Sequence, residues 1–265
     1  QLMGSATTQA RATVVEALRA ATGVDLDVAR ELFAAARTVG ASSHLSGALA
    51  DSSAPAAARA GVVTAVFGPS FAPATVALLR AVVVERWSSV DELVEGLEEL
   101  AIRATAVADT QSDVEGELFQ FSRTVAANGD LELALGSRVG EPSAKGALVA
   151  RLLENRVSAA AVLIASSLVQ QPRDRRVRSL LRWAERLVAE QRDRVVATVY
   201  AATALSDDQA ARLRSALGAR YGIAVTLNTV IDPTVVGGLR VQIADDVIDA
   251  SVSTRLADLR QRIAG

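Results

Sequence analysis

The side chains most suggestive of a reaction centre lie near the carboxyl end, in the segment "DPTVVGGLRVQIADDVIDAS" at 232–251. Paired glycines such as Gly237 and Gly238 can cradle a phosphate, and an aspartate such as Asp249 can act as acid or base. A phosphate loop opens a helix, however, and these glycines join two predicted strands. They therefore favour a turn with positive φ, while Asp232 and Asp249 each precede a change of chain direction, where aspartate accepts backbone hydrogen bonds.

Other side chains give little support to catalysis. His44 is the only histidine and there is no cysteine, so neither a catalytic triad nor a histidine or cysteine metal site can form. The carboxylate pairs Asp245–Asp246 and Glu98–Glu99 are adjacent in sequence, and adjacent side chains diverge on a strand or a helix. We therefore expect no cofactor, no metal and no catalytic residue.

The arginine-rich segment 173–194 raises the alternative of a helical regulator that binds nucleic acid. Four acidic residues interrupt its arginines, and its apolar residues keep helical spacing. The whole chain carries a formal net charge of −2, which gives no overall attraction to phosphate. The pattern favours the solvated face of an amphipathic helix, and we expect no nucleic-acid partner.

The elements that hold these residues are mostly helical. Half of the 265 residues are hydrophobic and only 3% are aromatic, a composition typical of helices packed through small side chains. Apolar residues recur every three or four positions through 1–194. The longest apolar runs are broken, by Arg80 and by Ser166 with Ser167, below the roughly 20 residues that a membrane span needs.

This helical region contains an internal repeat. The segment "RELFAAARTVGASSHLSGALA" at 30–50 aligns with "GELFQFSRTVAANGDLELALG" at 116–136, so that Leu32 and Leu118 are equivalent and 86 residues apart. A period this long predicts two tandem copies of a small helical bundle and is too long for a solenoid unit. His44 falls opposite Asp130, which indicates a polar residue at a helix entrance. We place the boundary between the copies near 105–112.

The period changes after residue 194. Residues 195–201, 223–231, 239–243 and 246–250 alternate as strands do, with a helix between the first two and a last helix from about 251. The predicted fold is mostly α with a small α+β domain: two tandem helical bundles and a strand-helix-strand-strand-strand-helix domain. The predicted domains are 1–108, 109–194 and 195–265.

The carboxyl-terminal segment resembles the signature of the delta subunit of F-type ATP synthases, the bacterial relative of the mitochondrial oligomycin-sensitivity-conferring protein. The family pattern is an aspartate, paired glycines, an alternating strand, an Asp-Gly-Ser turn and a helix. The matching positions here are Asp232, Gly237, Gly238, Asp249, Ser251, Arg255 and Leu256. Ala250 replaces the usual glycine of that turn. A second helical bundle is unusual for the family and resembles the mycobacterial fused b-delta subunit, in which a b-like membrane segment lies upstream.

The resemblance implies a non-catalytic stator subunit of the peripheral stalk. Its bundle would hold amino-terminal helices of the alpha subunits, its last domain would bind the b-type stalk subunit, and it would reach the membrane only indirectly, at the cytoplasmic face. By analogy, helices near 89–108 and 157–169 would line the alpha-subunit groove. The candidate groove residues are Leu97, Leu100, Ala161, Ala165 and Leu168. A nucleotide-binding or hydrolytic enzyme that uses Gly237 and Gly238 remains the alternative from a different class.

Overall fold

Local side-chain caps begin most of the helices in the computed structural model, which describes residues 4–243 and 246–249. In each capped case a Ser, Asp or Asn side chain accepts a hydrogen bond from the backbone N–H three residues later, which satisfies a free helix donor. These caps are Asp25, Ser42, Ser89, Asp113, Asn128, Ser158 and Ser206. Pro73 and Pro142 instead occupy the first turn of their helices, where no backbone donor is needed.

The helices are α1 Ser5–Ala20, α2 Leu26–Ala41, α3 Ser43–Ala50, α4 Ala56–Phe67, α5 Pro73–Val83, α6 Val90–Ala108, α7 Val114–Ala127, α8 Gly129–Gly136, α9 Pro142–Leu153, α10 Ala159–Leu168, α11 Val177–Gln191 and α12 Asp207–Tyr221. The strands are β1 Arg194–Ala201, β2 Ala224–Ile231, β3 Leu239–Ile243 and β4 Asp246–Asp249. The predicted fold class is confirmed. The predicted last helix lies outside the described residues. No helix of the described part is long and apolar enough to cross a membrane.

The sequence repeat is also a repeat of structure. Helices α3 and α8 have equivalent ends, as do α4 and α9, and the second member of each pair lies 86 residues after the first. The caps are equivalent too, because Ser42 accepts from the N–H of Leu45 and Asn128 from that of Leu131. Helices α2 to α6 therefore correspond in order to α7 to α11.

Two long-range contacts recur at the same spacing. The Glu31 carboxylate accepts from the N–H of Ala72, and the Glu117 carboxylate accepts from the N–H of Ser158. Arg59 in α4 donates to the carbonyl of Asp51, and its equivalent, Lys145, donates to the carbonyl of Ser137. Such contacts join segments that are far apart in the chain, so the copies share tertiary packing as well as helix order.

Helix α6 belongs to the packing of both copies. Every residue from Gly96 to Ala106 is buried. This burial arises because α6 packs against α1 and against α2, α3 and α5 of the first copy, and also against α10 of the second copy. One continuous apolar core extends through helices α1 to α11, and Gln1–Val188 form a single compact unit. The division at residue 108 falls at the end of α6 and stays a prediction.

The second compact unit, Ala189–Gly265, contains a four-stranded mixed sheet in the order β2-β1-β3-β4. Strand β1 pairs in parallel with β2 through the α12 crossover and antiparallel with β3, which pairs antiparallel with β4. One face carries a small core that includes Ala197, Val199, Leu217, Val225 and Val241. Helix α12 ends as expected, with Gly222 in the left-handed conformation at φ 69°.

Candidate interaction surfaces

The family-signature aspartate Asp232 organises the turn between β2 and β3. Its Oδ1 accepts hydrogen bonds from the backbone N–H of Thr234 at 2.9 Å and from the Thr234 hydroxyl at 2.6 Å. These two bonds hold the pKa of Asp232 below its ordinary value. The Asp232 N–H donates to the carbonyl of Ala201 at 2.8 Å, which ties the turn to the end of β1. Asp232 therefore accepts hydrogen bonds at a change of chain direction, as the sequence pattern predicted.

Gly237 has φ 66°, a conformation that side chains other than glycine rarely adopt. Together with Gly238 and Leu239 it lines an open cleft of about 600 Å³, whose other lining residues come from Ala201–Leu205 and the first half of α12. The lining is a mixture of apolar and polar surface, with Arg212 and Gln209 as its long polar side chains. Gly237 and Gly238 thus shape a surface cleft at a strand-to-strand corner.

The rest of the signature is only partly described. Asp249 is the last residue of β4 and is paired in register with Arg240. Arg240 places its guanidinium over the ring of Tyr200, 4.5 Å from the ring centroid, and within 3.6 Å of the Asp232 carboxylate. Ser251, Arg255 and Leu256 lie outside the described residues.

The five residues predicted to line the alpha-subunit groove lie in the core of the first unit. Leu97 and Leu100 of α6 and Ala161, Ala165 and Leu168 of α10 are each no more than 3% exposed. Helices α6 and α10 do pack against each other, and all five residues belong to the same apolar core. A charged residue at Ala161 would consequently disturb the core itself. The assignment of these side chains to a groove stays a prediction.

Glu98 and Glu99 diverge from α6 as predicted, and each meets an arginine from a distant part of the chain. Glu98 is 3% exposed and receives Arg175 at 2.8 Å, with Arg173 at 3.9 Å. Burial raises the pKa of Glu98, and the two arginines offset part of that rise. These pairs fasten the loop between α10 and α11 to α6.

Glu99 forms the second cluster. Its two oxygens accept from Nε and an Nη of Arg11 in α1, at 2.6 and 2.7 Å, and Oε1 also accepts from Arg103 at 3.0 Å. The bidentate geometry is the strong form of an arginine–carboxylate pair. It joins residues 88 positions apart, and helix periodicity gives no information on such a partner.

The arginines of 173–178 thus serve mainly as structural partners. Arg173 and Arg175 pair with Glu98, and Arg178 pairs with Glu132 at 2.8 Å. The apolar side of α11 is buried, including Leu180, Leu181 and Leu187. These contacts favour the amphipathic-helix interpretation over the nucleic-acid alternative.

Among residues 4–243 and 246–249, no group of three or more metal-ligating side chains is close enough to hold a metal ion. His44 is exposed in the first turn of α3, and its equivalent, Asp130, occupies the same place in α8. His44 is therefore a surface residue at a helix entrance, as the repeat predicted.

Comparisons with known proteins agree with the resemblance of the carboxyl-terminal segment. A family model described as ATP synthase delta (OSCP) subunit matches residues 100–263. The chain is 47% identical over 268 residues to ATP synthase subunit delta of Leifsonia xyli subsp. xyli, which covers 99% of this chain and 100% of that protein. It is 38% identical over 255 residues to ATP synthase subunit delta of Streptomyces avermitilis, with 94% and 93% covered. It is also 38% identical over 270 residues to the subunit of Nocardia farcinica, with 99% and 100% covered.

Proposed function

The chain belongs to the ATP synthase delta (OSCP) subunit family, and on that premise we propose that it is a non-catalytic stator subunit. It links the head of the ATP synthase, through the alpha-subunit amino-terminal helices, to a b-type peripheral stalk, so that rotor torque drives ATP synthesis. The observation that carries the proposal is the match over residues 100–263, which spans helices α7 to α11 and the sheet unit. We place this subunit in the peripheral part of a membrane complex, at the cytoplasmic face.

The architecture suits a load-bearing connector. A connector needs buried contacts between helices and slow dissociation from its partners, and it needs no nucleophile. The shared core through α6 joins both copies of the bundle into one unit, and the clusters around Glu98 and Glu99 hold α1 and the α10–α11 loop to that helix. Force applied to either copy is therefore transmitted through packed side chains.

We assign the stalk contact to the sheet unit and place it at the cleft beside Gly237 and Gly238. A cleft of about 600 Å³ with both apolar and polar lining has room for one or two large apolar side chains from a helix. Arg212 lies at its rim and is exposed, which suits a carboxylate on the incoming helix.

A binding measurement tests this assignment with the full chain and a purified b-type stalk segment. Ala202 is exposed and lines the cleft, whereas Ala211 is exposed on α12 away from it. Ala202→Trp fills the cleft and should weaken stalk binding at least about tenfold, and Ala211→Trp should leave it within about twofold. Equal binding by the two variants would remove the cleft as the stalk contact. Absence of binding by the wild-type chain to both the stalk segment and a head prepared without this subunit would overturn the proposed function.

The enzyme alternative predicts a different response. A nucleotide-binding site at Gly237 and Gly238 would raise the unfolding temperature of the sheet unit when ATP or ADP is added. The stator proposal expects no such shift, since the glycine corner joins β2 to β3 and does not open a helix.

A further inference from the structure

The two copies of the bundle carry different side chains at the surface around α8. Their backbones are equivalent there, because α3 and α8 have the same length and the same cap. The side chains differ. In the second copy the surface carries Leu133, Arg138, Val139, Arg176 and Arg178, where the first copy has Gly47, Ser52, Ser53, Val90 and Glu92. We call these five second-copy residues the α8 face.

The arginines of the α8 face surround a cleft of about 480 Å³ between the end of α8 and the start of α11. Four arginines line this cleft, Arg138, Arg175, Arg176 and Arg178, against two carboxylates, Glu132 and Asp174. The first copy has no arginine at any of the four equivalent positions. The positive charge is thus a property that the second copy alone has acquired.

Part of this charge is available to a partner. Arg178 forms an ion pair with Glu132, and Arg175 forms one with Glu98. Arg138 contacts Asp174, but both side chains are at least 75% exposed, and an ion pair so exposed contributes little and exchanges readily for another carboxylate. Arg176 is exposed and its side chain has no ion pair or hydrogen bond within the described part of the chain.

Two large apolar side chains are next in sequence to residues that line this cleft, since Leu133 follows Glu132 and Val139 follows Arg138. Leu133 is 74% exposed on α8 and Val139 is 85% exposed directly after Arg138, the highest values among the exposed large apolar residues of the described chain. An amphipathic helix could bury such side chains under its apolar face while its charged residues bind the arginines. Neither the Leu133 nor the Val139 side chain has a hydrogen-bond donor or a positive charge that could bind a small oxyanion.

We propose that the α8 face docks an acidic amphipathic helix of another subunit. The apolar side of that helix packs on Leu133 and Val139, and its carboxylates bind Arg138 and Arg176. The inference rests on the proposed function in one respect, since it takes the partner to be a subunit of the same complex. It assigns a contact separate from α6 and α10 and gives the second copy a partner that the first copy cannot bind in the same way.

The test compares matched variants of the two copies in the full chain. Leu133→Asp with Arg176→Glu reverses the chemistry of the α8 face, and Gly47→Asp with Val90→Glu places the same side chains at the equivalent positions of the first copy. All four positions are open to solvent or have free space for a side chain, so both variants should fold, which circular dichroism checks. The readout is the dissociation constant for a purified ATP synthase head prepared without this subunit.

We expect the α8-face variant to bind at least about tenfold more weakly and the first-copy variant within about threefold of wild type. Wild-type affinity should also fall with added salt, and less steeply for Arg176→Glu. Equal loss in both variants, or no loss in either, overturns the docking inference while the proposed function stands if wild type binds. Failure of wild type to bind the head would refute the proposed function instead.

Two further outcomes identify a different ligand. If inorganic phosphate or ATP binds wild type and Leu133→Asp equally but not Arg176→Glu, the face is an oxyanion site and the helix assignment is wrong. If wild type binds vesicles containing anionic lipid and loses that binding on Leu133→Asp, the surface contacts a membrane. A photo-crosslinker at Val139 in the assembled complex should otherwise label a segment with acidic and apolar residues at helical spacing, and labelling of a basic segment would contradict the proposal.

Discussion

Replacing Arg59 with methionine removes a buried, densely bonded guanidinium of the first unit while keeping the aliphatic length of the side chain. Arg59 is 5% exposed and its guanidinium donates to four backbone carbonyls. The acceptors and distances are Val83 at 2.7 Å, Val84 at 3.0 Å, Ala54 at 2.5 Å and Asp51 at 3.2 Å. Val83 and Val84 end α5, where carbonyls lack helix partners and the helix dipole favours a positive charge.

The magnitude follows from these bonds. A hydrogen bond to a charged donor contributes about 1.5–3 kcal/mol, and the values are not additive within one group. The cost of burying the cation opposes them. We therefore expect Arg59→Met to lower the free energy of unfolding by about 3–4 kcal/mol.

The equivalent residue of the second copy is the matched control. Lys145 donates to one carbonyl, that of Ser137, and is only half-buried. Solvent weakens this bond, so Lys145→Met should cost only about 1 kcal/mol. Urea denaturation followed by tryptophan fluorescence measures both, because Trp87 and Trp183 are the only tryptophans and both lie in the Gln1–Val188 unit. A loss for Arg59→Met no larger than that for Lys145→Met would refute the reasoning, since the extra carbonyl bonds would then contribute nothing.

Two more predictions concern α6. A Cβ at Gly96 would lie 2.3 Å from Cη2 of Trp87, and the Trp87 ring is held in place because its Nε1 donates to the carbonyl of Val82 at 2.9 Å. Gly96→Ala should therefore destabilise the protein by about 1–3 kcal/mol despite the better helix propensity of alanine. The control Gly61→Ala has free space around its Cβ and should not destabilise, so equal melting temperatures for the two variants would contradict the clash. The raised pKa of Glu98 means that its carboxyl favours folding most at low pH and loses that contribution as pH rises through the folded pKa. The stability of wild type relative to Glu98→Gln should therefore grow between pH 7 and about pH 5 in urea titrations, and an opposite slope would show that Arg175 and Arg173 outweigh burial.

Much of the candidate site was predictable wherever the determining contacts are local. The turn at Asp232 follows from a side chain that bonds two residues ahead, and aspartate before a turn is a recognised sequence pattern. The capping box of α12 and its Gly222 end are equally local. The repeat predicted the equivalence of α3 and α8 for the same reason, because each is started by its own cap.

The groove prediction depends on contacts that are not local. It comes by analogy with the family, and it takes apolar side chains of α6 and α10 as a surface for a partner helix. In the fold Leu97, Leu100 and Ala161 are covered by neighbouring helices of the same chain. An apolar stripe has the same pattern whether its cover is intramolecular or a partner, since burial depends only on apolar area removed from water.

The sequence by itself determined the helices, strands, repeat and signature turn, because these depend on residues a few positions apart. Only the tertiary structure decided that α6 is shared by both copies, that Glu98 and Glu99 meet separate arginines, and that Arg59 closes the end of α5. Glu98 and Arg175 are 77 positions apart and Glu99 and Arg11 are 88. Contacts at such separations depend on how helices are placed relative to one another, and that placement is set by the packing of the whole core.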